Sequence, residues 1–196
     1  YAQQDCQGLP VEIRLQDYRQ LDEPFDHIFS VGMFEHVGIG HFAAYFAGIR
    51  DLLTDDGVAL IHAIGRKGGP GTTGAWIRKY IFPGGYSPAL SETFAKIEKA
   101  GLWVTDCEIL RLHYAYTLAE WNKRAQASRA EIVEMMGEAF FRMWEFYLAI
   151  SELSFLHGKH MNFQIQLTKD VQALPIIRDY MVDEWPARGE TAQHHG

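Results

Sequence analysis

The sequence has no surplus of positive charge. Its 18 Lys and Arg stand against 25 Asp and Glu, a formal net charge of −7. That excludes the basic footprint with which a protein holds nucleic acid, and it removes long-range attraction to anionic lipid. Contact with a membrane would have to be apolar and local. Cysteine is scarce as well. Cys6 and Cys107 lie far apart without metal-type spacing, so they read as two buried small hydrophobes in a reduced, cytoplasmic compartment. No uninterrupted apolar run reaches membrane-spanning length, and the first residues do not read as a secretory leader. No internal repeat is visible.

What the chain does have is apolar and aromatic bulk, 47% and 13% of 196 residues, enough for one core with a helical insertion or lid. The organising stretch is Phe25 to Gly40. Its apolar run Ile28 to Val31 enters from Asp26 and leaves at Gly32, as a buried strand of a parallel sheet does. Glu35 and His36 follow where that strand should end, beside glycines 32, 38 and 40. Open α/β sheets hold ligands just beyond the carboxyl ends of their strands, so an acid and an imidazole there are candidates for chemistry. The plain alternatives are a helix-capping Glu35 and a packed His36. A metal site through Glu35, His36 and His41 is the weakest reading, because the two histidines are five apart and do not share a helix face.

Tyr1 to Gly8 reads as the last two turns of a helix, which suggests a start in the middle of a domain. Val11 to Leu15 alternates like a strand. His41 to Leu53 has helical spacing, and Asp55-Asp56-Gly57 reads as its end. Val58 to Ile64 is a second buried strand, followed by the glycine-rich loop from Gly65 to Gly71. That loop lacks the Lys-Ser/Thr ending of a phosphate cradle and precedes no clear helix, so it reads as a flexible connection. Trp76 to Phe82 is an apolar stretch carrying two basic residues. Ser91 to Ala100 is a helix with Ser91 as N-cap, and Trp103 to Leu110 is a strand. A helix opens at His113. Ala130 to Phe155 is one long helix or a broken pair, and Asn162 to Thr168 is the closing strand. Residues 171–196 read as a peripheral tail, disordered toward Glu190 to Gly196. Alternating strands and helices give an α/β fold with a mostly parallel sheet, closed by an antiparallel strand.

Five stretches together carry a resemblance. They are Leu-Gln-Asp-Tyr-Arg at 15–19, Phe-Asp-His-Ile-Phe-Ser-Val-Gly-Met-Phe-Glu-His-Val-Gly at 25–38, Leu-Ile-His-Ala-Ile-Gly at 60–65, Lys-Tyr-Ile-Phe-Pro-Gly-Gly at 79–85, and His-Tyr-Ala-x-Thr-Leu-x-x-Trp at 113–121. The chain resembles the cyclopropane-fatty-acid synthases, including the mycolic acid cyclopropane synthases, from Tyr1 to about Lys169. The resemblance implies a Rossmann-like class I methyltransferase sheet with a helical acyl-channel insertion at about 128–158. It also implies transfer of a methylene from S-adenosylmethionine to a cis double bond of a lipid acyl chain, with bound bicarbonate as base. Glu35, His62 and Tyr114 match the family's bicarbonate-holding side chains, and Ile64 matches its backbone contact. Asp17, Tyr18, Ser30, Val31 and Gly32 match positions around the cofactor, and Phe140, Trp144 and Tyr147 fall in the acyl channel. The partners implied are an unsaturated phospholipid or other lipid, with transient contact at the inner membrane face, and a possible homodimer.

The family's Gly-x-Gly cofactor loop and first strand would precede Tyr1, and neither Cys6 nor Cys107 matches the family's bicarbonate-contacting cysteine. The resemblance therefore implies a piece of a longer enzyme with an uncovered sheet edge. The other readings are a short paralogue that dimerises, a relative that methylates without closing a ring, and a non-catalytic lipid- or partner-binding module.

Overall fold

The computed structural model describes residues 1–182. The elements in order are α1 (Ala2–Asp5), β1 (Phe25–Val31), α2 (Phe34–Val37), α3 (Phe42–Leu52), β2 (Leu53–Arg66), α4 (Ala75–Tyr80), α5 (Leu90–Ala100), β3 (Trp103–Ile109), α6 (His113–Ala127), α7 (Arg129–Met136), α8 (Glu138–Leu156) and β4 (His160–Thr168). The strands form one sheet in the order β1-β2-β4-β3. β1 runs parallel to β2, while β4 lies antiparallel to both β2 and β3. The sheet is thus not mostly parallel. The helices from α6 to α8 leave after β3 and return the chain beside it, so β4 enters in the opposite sense.

Alternation along β2 and β4 divides the structure into two layers. Ala59, Ile61 and Ala63 of β2 and Phe163, Ile165 and Leu167 of β4 are buried on one face, against Phe42, Tyr45, Phe46 and Ile49 of α3 and Ile97 of α5. The opposite face of β2 carries His62, Ile64 and Arg66. In register across β4 stand Gln164, Asn162 and His160. Ala115, Leu118, Leu148 and Phe155 of α6 and α8 form a second apolar cluster there, to which Ile64 and Tyr114 belong. This polar row, sandwiched under apolar helices, positions the candidate site.

Several boundaries differ from the sequence reading. Val11 to Leu15 is irregular and exposed, since no strand among the described residues pairs with it. Asp55 to Gly57 lies inside β2, which begins at Leu53 opposite Phe25 through a register irregularity. The glycine-rich loop leads into α4 after all. α1 is a single turn. α5 starts one residue before Ser91, and its cap is Glu92, whose carboxylate accepts the Ala89 N–H at 2.7 Å. The long helix breaks at Gly137, whose φ of +89° ends α7. Cys6 and Cys107 are free and half-buried rather than buried. The expected disorder at Glu190 to Gly196 falls outside the described residues. Of the tail, Arg178 pairs with Asp106, and the Tyr180 hydroxyl donates to Gln166 Oε1 at 2.8 Å.

Candidate active site

β1 stops pairing at Val31, opposite His62, and the Gly32 N–H still donates to the His62 carbonyl at 3.0 Å. Gly32 has φ +65°, a conformation that favours glycine, and it turns the chain away from the sheet. β2 continues without its parallel neighbour, so the Ile64 N–H, two residues on, lacks a ladder acceptor. Glu35 supplies one. Phe34, fully buried among Phe42, Tyr45 and Phe46, anchors the single turn α2. From there the Glu35 carboxylate reaches back, and Oε1 accepts the Ile64 N–H at 2.6 Å. Tyr86 N–H donates to the Glu35 carbonyl at 2.9 Å, which fixes the turn from its other side.

Glu35 is only 9% exposed, and its second oxygen, Oε2, is buried without a hydrogen-bond partner. Buried carboxylate oxygens are rarely left so, because an unmet group forfeits its hydration. Asn162 Oδ1 is orphaned in the same way. His62 is held between two β4 amides: Gln164 Nε2 lies 3.2 Å from Nδ1 and Asn162 Nδ2 lies 3.5 Å from Nε2. The Tyr114 ring stands 6.1 Å from the His62 ring. Burial pushes the Tyr114 hydroxyl above the usual phenol range and the Glu35 charge adds to this, while a hydrogen bond with Asn162 opposes both. Tyr114 is thus a neutral donor at physiological pH.

These groups meet a cavity of about 350 Å³. Phe82, Tyr86, Leu118, Trp121, Tyr147 and Ile150 give it an apolar lining, and Gly32, Glu35, His36, Ile64 and Tyr114 reach it. Among the described residues no group of three or more His, Cys, Asp and Glu is arranged to hold a metal ion.

The expected site residues divide accordingly. Glu35, Ile64 and Tyr114 line the cavity, and His62 is packed beside Tyr114. The Ile64 N–H is engaged by Glu35. Tyr147 lines the cavity, whereas Trp144 packs behind it at 5.2 Å between ring centroids and Phe140 stacks on Trp144. Of the cofactor positions, Gly32 reaches the cavity. The Ser30 hydroxyl is buried and accepts from the Tyr45 hydroxyl at 2.7 Å. Tyr18 packs edge-on against Tyr45, Val31 is exposed on β1, and Asp17 pairs with Arg19, which lowers its carboxyl to about 2. Sequence reasoning missed Asn162, Arg66, Ser154 and His160. Tyr147, Ile150, Ser151 and Ser154 follow the 0, 3, 4, 7 spacing of one helix face, a signal hidden by the apolar residues all round α8.

A sheet of this order, with a carboxylate at the first strand's end and a helical layer over the polar row, is a class I methyltransferase fold. The crystal structure of a mycolic acid cyclopropane synthase complexed with SAH and CTAB superposes with a TM-score of 0.73 at 30% identity, covering 79% of this chain and 59% of that one. The profile of the mycolic acid cyclopropane synthetase family matches residues 2–165, and the chain belongs to that family. The cyclopropane-fatty-acyl-phospholipid synthase of Escherichia coli strain K12 is 41% identical over 147 residues, 75% of this chain and 38% of that protein. The tuberculostearic acid methyltransferase UfaA1 of Mycobacterium tuberculosis is 40% identical over 158 residues, 77% of this chain and 37% of that protein. The chain thus spans less than two fifths of the length of these relatives.

Proposed function

We propose that this chain carries the catalytic residues of an S-adenosylmethionine-dependent lipid methyltransferase that cyclopropanates a cis double bond of an acyl chain. The observation that carries the reading is the Glu35 carboxylate. It is buried, fixed through Ile64, and has one oxygen unmet beside an apolar cavity. The cavity suits an alkyl chain, each buried methylene contributing about 0.8 kcal/mol. Family membership and the structural match to a cyclopropane synthase complexed with SAH support S-adenosylmethionine as methyl donor.

The alkene π electrons form a bond to the sulfonium methyl as the sulfur–carbon bond breaks, and S-adenosylhomocysteine leaves. The neighbouring alkene carbon becomes cationic. Loss of a proton from the new methyl lets its carbon close onto that cation, which gives the ring. Bicarbonate bound in the cavity would supply the base. The residues present fit it: Glu35 Oε2, a buried acceptor without a partner, would take a hydrogen bond from the one proton bicarbonate carries, the Tyr114 hydroxyl would donate to it, and His62 stands beside Tyr114 with its ring 6.1 Å away. Tyr114 and Glu35 also place a neutral donor and a negative charge near the cationic carbon, while the apolar wall keeps water from trapping it. The enzyme works in the cytoplasm, in transient contact with the membrane face that presents its lipid.

The name of the tuberculostearic acid methyltransferase favours a second reading, transfer of a methyl without ring closure. The test is incubation of the chain with isotope-labelled S-adenosylmethionine and vesicles of a cis-monounsaturated phospholipid. Gain of one CH2 with loss of the olefinic protons and a ring-methylene resonance supports cyclopropanation. A labelled methyl branch assigns the second reading, and absence of label overturns both.

A further inference from the structure

Beside the candidate active site lies a second cavity of about 340 Å³, and its charge runs against that of the whole chain. Lys67, Arg111 and Lys159 line it over an apolar floor that includes Ile109 and Met161, and no Asp or Glu contributes. Among the described residues none of the three cations makes an ion pair. They come from separate segments converging at one end of the sheet. Lys67 follows β2, Lys159 precedes β4 and Arg111 follows β3; the Lys67 N–H donates to the Lys159 carbonyl at 2.6 Å, and the Leu110 N–H to the Asn162 carbonyl at 2.9 Å.

A second observation concerns Arg111 itself. Among the described residues it is the one non-glycine with positive φ, +42°. Such strain persists where the surroundings impose it, and it clusters at ligand sites. Arg111 lines the cavity immediately before α6, a 15-residue helix whose N-cap, Leu112, also lines it and offers no side-chain cap. Three cations and the positive end of a helix dipole then face one volume.

His160 and Phe155 line both cavities and form their common wall. Along β4 the basic end is three residues from Asn162, roughly 10 Å at the rise of a strand. We propose that the Lys67–Arg111–Lys159 cavity seats the phosphate of the lipid whose acyl chain occupies the neighbouring cavity, an assignment that rests on the acyl-chain reading above. The head group is thereby anchored beside the acyl cavity, and the place of that anchor selects which double bond along the chain reaches the methyl donor. The net charge of −7 does not oppose this, because at physiological ionic strength charges beyond about 8 Å are screened and the local cations dominate.

The test measures binding of dodecyl phosphate and of dodecyl maltoside, each below its micelle-forming concentration, to the chain and to a Lys67→Gln/Arg111→Asn/Lys159→Gln variant. Asparagine tolerates the backbone conformation at 111. The wild type binds dodecyl phosphate at least tenfold more tightly than the maltoside. The variant binds both alike, with its maltoside affinity unchanged. A tenfold preference that survives in the variant overturns the proposal. So does competition by inorganic phosphate at concentrations equal to dodecyl phosphate, which marks a free-anion site. Maltoside binding without phosphate preference in the wild type overturns the head-group assignment alone. If neither amphiphile binds, the acyl-chain reading falls and takes this proposal with it.

Discussion

Glu35 Oε1 accepts the Ile64 N–H at 2.6 Å, the bond that another residue of β1 would otherwise have made. A side chain thus completes a backbone ladder where the strand it follows has ended. The carboxylate is aimed by the sheet rather than by a flexible loop, and the residue that lines the cavity keeps its second oxygen, Oε2, buried and without a partner. Structure and chemistry meet in one residue, so they can be separated only by a substitution that keeps the bond.

Glu35→Gln is that substitution. Its amide oxygen still accepts from Ile64, so thermal unfolding should move by no more than about 1 kcal/mol. The charge and an acceptor oxygen that would hold the base are lost, and turnover should fall by about 10²–10³, the range for removing one fixed polar contact from a reacting site. The alkaline titration of Tyr114 should move down toward the ordinary phenol value, since the Glu35 charge is one of the two causes that raise it. Glu35→Ala should also destabilise, by about 1–3 kcal/mol, because it leaves the Ile64 N–H unpaired. Undiminished turnover in the Gln variant would remove Glu35 from the mechanism.

Gly65 should tolerate no side chain. A Cβ there would stand 2.6 Å from Phe163 Cε1 and 2.9 Å from the Pro88 carbonyl oxygen. The neighbours cannot yield easily: Phe163 is fully buried opposite Ala63, and the Pro88 carbonyl accepts the Arg66 N–H at 3.0 Å. Gly65→Ala should cost about 1–3 kcal/mol, in the range of overpacked cores. A lower denaturant midpoint at unchanged slope checks it.

How much of this was legible depends on the distance in sequence over which each feature is decided. β1, α3 and β4 are set by local alternation or helical spacing, and the sequence reading finds them to within a few residues. Val11 to Leu15 shows the same alternation yet pairs with nothing among the described residues, because a period of two says which side chains share a face and not whether a neighbour exists. The site behaves likewise. Glu35 follows a strand end and is visible as a candidate. Asn162 beside Ile64 and His160 beside Arg66 depend on β4 inserting between β2 and β3, a pairing across nearly a hundred residues with no local signature. Phe140, Trp144 and Tyr147 look equivalent in sequence, yet only Tyr147 reaches the cavity, because the helix face is chosen by α6 packing against α8.

His160 makes the acid side of the stability profile testable. It stands opposite Arg66 in the β2–β4 register, with its Nδ1 bonded to the Ser154 hydroxyl and its ring against Phe155. Burial, and then the Arg66 charge, hold it below the usual 6.5 of an imidazole. The folded protein therefore resists a proton that the unfolded chain accepts near pH 6.5. The stability due to neutral His160 is complete above that pH and is lost as pH falls toward the lowered folded value. Tyr114 and Tyr147, raised chiefly by burial, act at the other limit: their contribution is complete below pH 10 and declines above it, outside this window. Denaturant midpoints measured from pH 8 to pH 5 should therefore decline below about 6.5 in the wild type. The decline should be shallower in His160→Gln, which keeps a polar partner for Ser154 but cannot take up a proton in this range. Equal slopes for the two proteins would place the acid sensitivity elsewhere.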